Sequence, residues 1–320
     1  MKRVLKILGI VLGVVVLVIL IFAAKINFSP IASYDVELKE VTVTSDSATL
    51  VRGKQIVLTL CYNCHSNKET GRMSGGHLSS VEIFGNIYAP NITSHAEMGK
   101  LAKYSDAELV RLIRTGVKRD GQYAPPYMVK LPLLSDNDLN ALLAFLRSDD
   151  PLVAPDPAQQ PESKPSFFTK FLCTVAIKPL PYPEGPITDP DPNNAVELGE
   201  YVATGLAGCF QCHSADFAKN SDLEPATSEG FFGGGNKMLD REVNEVLSRN
   251  ITMDEETGIG SWTEDQFVKA VMFGSTPDGR VLKYPMEPYN HLSEKEIRAV
   301  WSYLQTVPKI SNKVPLRSQS

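Results

Sequence analysis

The longest apolar stretch of the chain runs from Ile7 to Ala24 and holds no charged side chain. Its 18 residues would form a helix about 27 Å long, close to the thickness of the hydrocarbon core of a bilayer. Lys2, Arg3 and Lys6 stand before it. Because positive residues stay on the cytoplasmic side, residues 1–25 predict a single-pass anchor with a cytoplasmic N-terminus and the remaining chain outside.

A cleaved secretory signal peptide is the alternative interpretation of this stretch. Signal peptides have shorter apolar regions and end in small residues at the cleavage site. Here a bulky residue, Ile21 or Phe22, would occupy the third position before the cut. The pattern therefore favours an uncleaved helix.

Two helical patterns follow, and each occurs once in either half of the chain. The first starts with a capping box, Ser/Thr followed three residues later by Glu/Gln, and ends at a glycine. It covers residues 105–116 and again residues 263–274. The second starts with a Ser cap and continues with apolar residues on one helix face, over residues 135–146 and 293–304. The chain is therefore predicted to be mainly α and internally repeated.

The tripeptide Asn-Ile-Thr occupies equivalent places in the two repeats, residues 91–93 and 250–252. As a glycosylation signal it would be a false positive, and its repetition predicts a shared structural turn. We expect two similar domains, residues 48–148 and 194–310, followed by a tail at 311–320.

Residues 149–193 separate the repeats and hold 11 of the 22 prolines, which predicts a stiff, extended linker. Within this linker, residues 167–177 are apolar and predict a short helix packed on one or both domains. The helix contains Cys173, for which a reactive or lipidated thiol is the alternative. Residues 26–47 are a spacer, and their alternating part at 35–44 predicts either an edge strand or an extended connection.

The sequence Cys-x-x-Cys-His occurs once in each predicted domain, and this is the attachment signature of c-type haem. Two thiols at this spacing can form thioethers with the haem vinyl groups, and the adjacent His then lies under the iron. The sequence therefore predicts two covalently bound haem c groups. The expected thioether residues are Cys61, Cys64, Cys209 and Cys212, and the expected proximal iron ligands are His65 and His213.

Zinc binding and thiol redox chemistry are the other common uses of a Cys-x-x-Cys pair. A zinc site needs a second ligand pair nearby, and a thioredoxin-like pair needs strand–helix–strand surroundings; neither half of the sequence provides them. The net charge of −5 gives no indication of nucleic acid as a partner. Haem attachment needs reduced thiols in an export compartment, so we expect the haem domains in a bacterial periplasm, tethered to the cytoplasmic membrane.

The repeat also indicates a second axial ligand for each iron. Met128 lies seven residues before the cap Ser135, and Met286 lies seven residues before the cap Ser293. Both stand in proline-rich loops that could hold a thioether against an iron. We therefore expect Met128 and Met286 to be the sixth ligands, and His/Met ligation raises the potential of a haem.

The remaining methionines and histidines have no counterpart of the same type in the other repeat. The methionines expected to serve as packing residues are Met73, Met98, Met238, Met253 and Met272. The alternative iron ligands, expected instead to be loop or surface residues, are His77, His95 and His291.

The haem motif, the Asn-Ile-Thr turn, the capped middle helix and the Met before the last helix together resemble class I cytochrome c domains. Two such domains in tandem behind an anchor are similar to the membrane-anchored dihaem and multihaem cytochromes c. That family includes the cytochrome subunits of bacterial alcohol, aldehyde and gluconate dehydrogenases. The resemblance covers residues 48–148 and 194–308 and implies small helical domains, covalent haem and electron transport. Those subunits carry three haem motifs, whereas this chain has two.

Two matched His/Met sets leave no free coordination site, which favours electron transfer over catalysis. The leading hypothesis is a membrane-tethered dihaem electron carrier that is not itself an enzyme. It would take electrons from a periplasmic dehydrogenase or quinol-oxidising complex and pass them to an oxidase or a soluble cytochrome. The alternatives are a dihaem peroxidase-type enzyme, which would need an open haem face, and a haem-based sensor, which would need an output domain.

Overall fold

The computed structural model describes residues 1–315, so the predicted tail at 311–320 lies partly outside the described residues. The structure is mostly helical, and its α-helices are α1 (Lys2–Phe28), α2 (Ser47–Leu60), α3 (Tyr62–His65), α4 (Asp106–Thr115), α5 (Asp136–Leu146), α6 (Phe167–Val175), α7 (Ala195–Glu200), α8 (Cys209–His213), α9 (Glu264–Phe273) and α10 (Glu294–Leu304). We call residues 47–158 the first unit and residues 194–315 the second unit.

The strands are short and form three antiparallel pairs in the described residues: β1 (Gly76–His77) with β3 (Tyr88–Ala89), β2 (Gly85–Asn86) with β4 (Lys164–Pro165), and β5 (Lys237–Leu239) with β6 (Glu245–Leu247). Residues 35–44 contain no strand. They cross the first unit as an extended connection, in which the Thr44 N–H donates to Asn140 Oδ1 at 2.8 Å. Of the two alternatives for this segment, the extended connection is the one observed.

Each unit is closed by a crossing of its first and last helices, α2 with α5 and α7 with α10. Glycines lie at both crossings because the backbones touch there. A Cβ added to Gly53 would lie 2.0 Å from the Ala141 carbonyl oxygen, and one added to Gly199 would lie 1.9 Å from the Ala299 carbonyl oxygen. Only a residue without a side chain allows so close an approach.

The helix boundaries predicted from the sequence are confirmed. Both middle helices, α4 and α9, begin at complete capping boxes and end at left-handed glycines, Gly116 (φ 82°) and Gly274 (φ 72°). Both last helices, α5 and α10, begin at side-chain caps, Ser135 and Ser293. Polar side chains thus satisfy backbone N–H groups that the helix itself leaves unpaired.

The helix that leads into the haem motif differs between the two units. In the first unit α2 runs without interruption to Leu60. In the second unit α7 ends at Glu200 and continues as a π-helical turn, Tyr201–Leu206, before a left-handed Gly208. The second unit has two more residues than the first between its crossing glycine and its first motif cysteine. The wider π-turn and Gly208 accommodate this extra length.

The proline-rich segment does not begin as a free linker. Its first part returns to the first unit, where the Leu152 carbonyl accepts from the Met73 N–H (2.7 Å) and the Val153 carbonyl accepts from the Ser94 N–H (2.9 Å). Val153 is fully buried, and β4 then pairs with β2. The predicted helix around Cys173 is present as α6, with Cys173 buried. Residues 150–158 thus belong with the first unit in space, and β4 at residues 164–165 packs against it. The predicted domain boundaries remain a prediction.

A cluster of charged and polar side chains joins the two units. Arg52 on α2 donates to both carboxylate oxygens of Asp138 on α5, at 2.7 and 2.8 Å, and also to Glu296 on α10, at 2.7 Å. The Tyr201 hydroxyl of the second unit donates to Asp138 at 2.6 Å. Since Asp138 and Glu296 are nearly buried, Arg52 neutralises two carboxylates that water does not reach well.

Replacing Arg52 with Gln is expected to lower the free energy of unfolding by about 2 kcal/mol. The loss is smaller than for a fully buried pair because the Arg52 side chain is 26% exposed. Guanidinium denaturation followed by circular dichroism measures it. Arg298→Gln is the matched control on α10, where the arginine pairs with carboxylates on the surface, and its effect should be much smaller. Equal effects of the two substitutions would contradict the role given to Arg52.

The Arg52 contribution should depend on pH. Burial alone would raise the pKa of Glu296, but Arg52 and the Ser293 hydrogen bonds outweigh it and hold the pKa below its ordinary 4.5. A carboxylate whose pKa is lowered by folding stabilises the protein above its unfolded pKa, and the contribution is lost as the pH falls through the folded pKa. The difference between wild type and Arg52→Gln should therefore shrink when the pH is lowered from neutral to below 4.5.

Candidate functional site

Each Cys-x-x-Cys-His motif forms a helical turn: α3 directly follows α2, and α8 follows the π-turn that continues α7. The His65 carbonyl accepts from the Gly75 N–H at 2.8 Å, and the His213 carbonyl accepts from the Gly234 N–H at 2.7 Å. Both glycines have positive φ angles, 81° and 69°. The loop after each motif is therefore tied to the motif in the same way in both units.

The two histidine rings are oriented by backbone carbonyls. His65 Nδ1 lies 3.0 Å from the Pro90 oxygen, and His213 Nδ1 lies 2.8 Å from the Arg249 oxygen. Because a carbonyl can only accept, each Nδ1 carries the proton and each Nε2 keeps its lone pair. A metal-binding histidine is commonly held in this way, with its second ring nitrogen donating to a carbonyl.

The ionisable groups of both motifs favour their uncharged forms. Burial lowers the pKa of His65 and of His213, and the carbonyl contact only partly offsets it. Burial, with a smaller contribution from the second thiol of the motif, raises the pKa of Cys61 and of Cys209 to about 12. All four motif cysteines are free of disulfides. Neutral imidazoles and reduced thiols are the forms that iron coordination and thioether attachment require.

The Asn-Ile-Thr tripeptides form the predicted shared turn. Asn91 Oδ1 accepts from the Thr93 N–H and hydroxyl at 2.9 and 2.7 Å, and Asn250 Oδ1 accepts from Thr252 in the same way at 2.9 and 2.8 Å. The asparagine amides donate to the chain that returns from the last helix of each unit. The turn fixes the residue before it, and that residue supplies the carbonyl that holds the histidine ring.

The loops that carry Met128 and Met286 share two backbone hydrogen bonds, although the Tyr284-Pro285 bond of the second loop is cis. The Met128 N–H donates to the Pro125 carbonyl and the Met286 N–H donates to the Lys283 carbonyl, each at 3.1 Å. Each loop starts with an N–H that donates at 2.7 Å to the left-handed glycine after the middle helix. Both methionine side chains are half-buried. The two loops thus present a methionine at equivalent places.

The first loop has a buried lysine where the second has a proline. Lys130 Nζ donates to the Ala124 and Pro125 carbonyls at 2.6 and 2.8 Å and lies 4.7 Å from the centre of the Tyr123 ring. Burial lowers the pKa of Lys130 to about 7. Pro288 occupies the same distance after Met286. Lys130 therefore braces the first loop from inside, in addition to the prolines that both loops contain.

These residues fit two c-type haems. Each unit offers two reduced thiols, one neutral imidazole with a free Nε2, and a methionine loop at an equivalent position. A bound haem would supply an iron that gains or loses one electron. The chain's own part is to fix the histidine ring through the Pro90 and Arg249 carbonyls. The ligand assignments to His65, His213, Met128 and Met286 remain predictions.

The alternative ligands lie in different surroundings. His77 and His291 are exposed, and His95 Nδ1 accepts from two backbone N–H groups of its own loop, those of Glu97 and Met98, at 3.3 and 3.2 Å. Of the methionines without a counterpart, the buried ones are Met73, Met253 and Met272, and the half-buried ones are Met98 and Met238.

Two features of the candidate sites were not found from the sequence. They are Tyr289, which lies near the motif thiols of the second unit, and the two carbonyls that hold the histidine rings. Burial, together with the nearby thiols of Cys209 and Cys212, raises the pKa of Tyr289. Its place in the first unit is taken by Leu131, since both donate their N–H groups to the middle helix. The carbonyls had a sequence signal, because each directly precedes an Asn-Ile-Thr turn. Tyr289 had no such signal in the sequence. Comparison of the two repeats reveals residues that match, and the first unit has Leu131 in its place.

Each methionine loop lies against the other unit. Residues 129–133 of the first unit face residues 204–208 of the second across a narrow cleft. On the other side, Tyr284 of the second unit is close enough to Ser80 and Cys64 of the first for both to affect its pKa. The two candidate sites therefore share one interface.

Residues 50–150 match the cytochrome c family, so the chain carries a cytochrome c domain there. The chain is also similar to cytochrome subunits of dehydrogenases, as the sequence predicted. It is 27% identical to the fructose dehydrogenase cytochrome subunit of Gluconobacter japonicus, over 81% of this chain and 53% of that protein. It is 26% identical to the quinone alcohol dehydrogenase cytochrome c subunit of Gluconobacter oxydans, over 83% of this chain and 56% of that subunit.

A third relative is the diheme cytochrome c-type protein of Cereibacter sphaeroides, which is 24% identical over 78% of this chain and 82% of its own length. The chain spans little more than half the length of the two dehydrogenase subunits. The first two relatives are named as cytochrome subunits of dehydrogenases, and the third is named as a diheme cytochrome.

Proposed function

We propose that this chain is a membrane-tethered carrier with two c-type haems that passes electrons through both units. Each iron would be held by a His/Met pair, His65 with Met128 and His213 with Met286. The observation that supports this most directly is the matched construction of the two sites. Motif turn, ring-holding carbonyl, Asn-Ile-Thr turn and methionine loop recur with the same hydrogen bonds.

Helix α1 supports the tether. It spans Lys2–Phe28, its apolar part is long enough to cross a bilayer, and none of that part is buried against the rest of the chain. Basic residues precede it, so its N-terminus would stay in the cytoplasm and both units would lie in the periplasm. A signal sequence has the same composition, and the flotation experiment described below distinguishes the two.

The relatives indicate the kind of partner. The fructose and alcohol dehydrogenase proteins are named as cytochrome subunits, so a periplasmic dehydrogenase is the electron donor that we propose. A quinol-oxidising complex is the alternative donor, and an oxidase or a soluble cytochrome would be the acceptor. The chain itself would serve as a carrier or a subunit, not as the catalytic part.

Carbon monoxide tests whether both irons are fully ligated. Because a thioether held by a stiff loop competes for the sixth position, adding carbon monoxide to the fully reduced protein should leave its visible spectrum unchanged. Denatured protein, in which the loops are released, is the positive control and should shift.

A shift in about half of the haem absorbance would show that one iron is open or weakly capped. That outcome would contradict the proposed ligation and would favour the peroxidase-type or sensor hypothesis.

A further inference from the structure

We infer that helix α6 lies in the surface of the same bilayer that α1 crosses, with its aromatic face among the lipid headgroups and upper acyl chains. This inference rests on the proposed membrane tether. The partner of α6 is then a lipid surface. Helix α6 would be a second attachment, in addition to α1, that holds the first unit against the membrane.

One side of α6 is apolar and uncovered. Its exposed side chains are Phe167 (44%), Phe168 (43%), Phe171 (37%) and Val175 (47%). At 3.6 residues per turn these positions share one face. On the opposite side Thr169 and Cys173 are buried against the protein, at 0% and 1% exposure. A nine-residue helix that leaves three phenylalanines exposed on one face has the amphipathic character of an interfacial helix.

Helix α6 lies beside the end of α1, and this position indicates that lipid covers its apolar face. Lys170 Nζ donates to the Asn27 carbonyl at 2.7 Å, and Ile26 in the last turn of α1 is buried. Asn27 lies three residues beyond Ala24, the last residue of the apolar run, which is about 4.5 Å along the helix axis. Helix α6 is therefore held at the depth where the hydrocarbon core gives way to headgroups.

The neighbouring residues suit the same environment. Phe28 at the end of α1 is 84% exposed, and Ile83 in the turn beside α6 is 57% exposed, so the apolar surface extends beyond the helix. Lys25, Lys170 and Lys178 provide cations at this level, and lysines with long apolar stems suit a zone that contains lipid phosphates.

Helix α6 also connects the membrane surface to the first candidate site. The Phe168 ring lies 6.4 Å from the Phe84 ring, which lies 5.9 Å from the Tyr127 ring. Tyr127 directly precedes Met128. In addition, the Thr169 hydroxyl donates to the Phe84 carbonyl at 2.7 Å. An inserted α6 would therefore hold the methionine side of the first unit close to the lipid.

Thiol accessibility in vesicles tests the inference. The full chain with its haems is reconstituted into vesicles of phosphatidylethanolamine and phosphatidylglycerol and treated with a membrane-impermeant maleimide. Three single variants are compared: Phe171→Cys on α6, Val281→Cys as a water-exposed reference (69% exposed), and Val14→Cys as a reference inside the bilayer. The wild-type chain, whose Cys173 is buried, gives the background, and unchanged visible spectra show that the variants are folded.

Phe171→Cys is expected to react at least about ten-fold more slowly than Val281→Cys, because thiolate formation needs water. Equal rates for these two variants, with Val14→Cys unreactive, would overturn the inference and leave the tether intact. If the chain does not float with the vesicles in alkaline carbonate, the tether itself fails, and the inference fails with it. The two failures are thus distinguishable.

Discussion

Met128→Ala should lower the potential of one haem by a few tenths of a volt and leave the other nearly unchanged. The reason is that a thioether stabilises ferrous iron, and axial ligands set haem potentials over a range of about 0.8 V. Potentiometric titration followed by visible absorbance measures both haems. The reduced variant should also bind carbon monoxide at one haem, and Met286→Ala should have the same two effects on the other haem.

Met98→Ala is the matched control, because Met98 is half-buried like Met128 but has no methionine counterpart in the second unit. Its potentials should equal those of the wild type. The ligand assignment is wrong if Met128→Ala keeps both potentials and excludes carbon monoxide. A change of equal size in Met98→Ala would instead mean that the loops respond to any loss of packing.

Gly53→Ala should destabilise the first unit by about 3 kcal/mol or more. The new Cβ would lie 2.0 Å from the Ala141 carbonyl oxygen and 2.6 Å from the Phe145 Cβ. The Ala141 carbonyl belongs to the backbone and cannot move aside as a flexible side chain can. Helices α2 and α5 would therefore have to separate. Guanidinium denaturation followed by far-ultraviolet circular dichroism measures the loss, and Gly199→Ala should act in the same way on the second unit.

Gly185→Ala is the control for Gly53→Ala, since nothing lies within 4 Å of a Cβ added there. It should change the free energy of unfolding by less than about 0.5 kcal/mol. A Gly53→Ala variant that unfolds at the same denaturant concentration as Gly185→Ala would show that the helices do not cross as closely as described.

The features predicted well from the sequence are those whose physical cause is local. A capping box needs only residues three positions apart, and the left-handed Gly116 needs only its own missing side chain. The Asn-Ile-Thr turn likewise needs only a local hydrogen bond, in which Asn91 Oδ1 accepts from the Thr93 N–H two residues later. The repeat strengthens each of these predictions, because recurrence of a pattern in the second unit indicates a shared structural cause.

The features that the sequence did not reveal depend on residues far apart in the chain. Arg52 pairs with Glu296, 244 positions later, and nothing near either residue marks the other. The proline content of residues 149–193 predicts a stiff, extended linker, and that stiffness stays a prediction. The proline content could not indicate that carbonyls at 152 and 153 would find N–H partners in the first unit. The π-turn before Cys209 arises from a two-residue difference in length that composition does not disclose.

The crossing of α2 and α5 has a consequence for the order in which a unit matures. Helix α2 leads directly into Cys61, but its packing partner α5 begins only near the end of the unit. A chain that emerges N-terminus first therefore leaves the motif helix unpacked until α5 has followed. Contacts between segments so distant form late. The cysteine pair is thus accessible while the chain emerges, before α5 packs on α2, and Cys64 is still exposed in the folded chain.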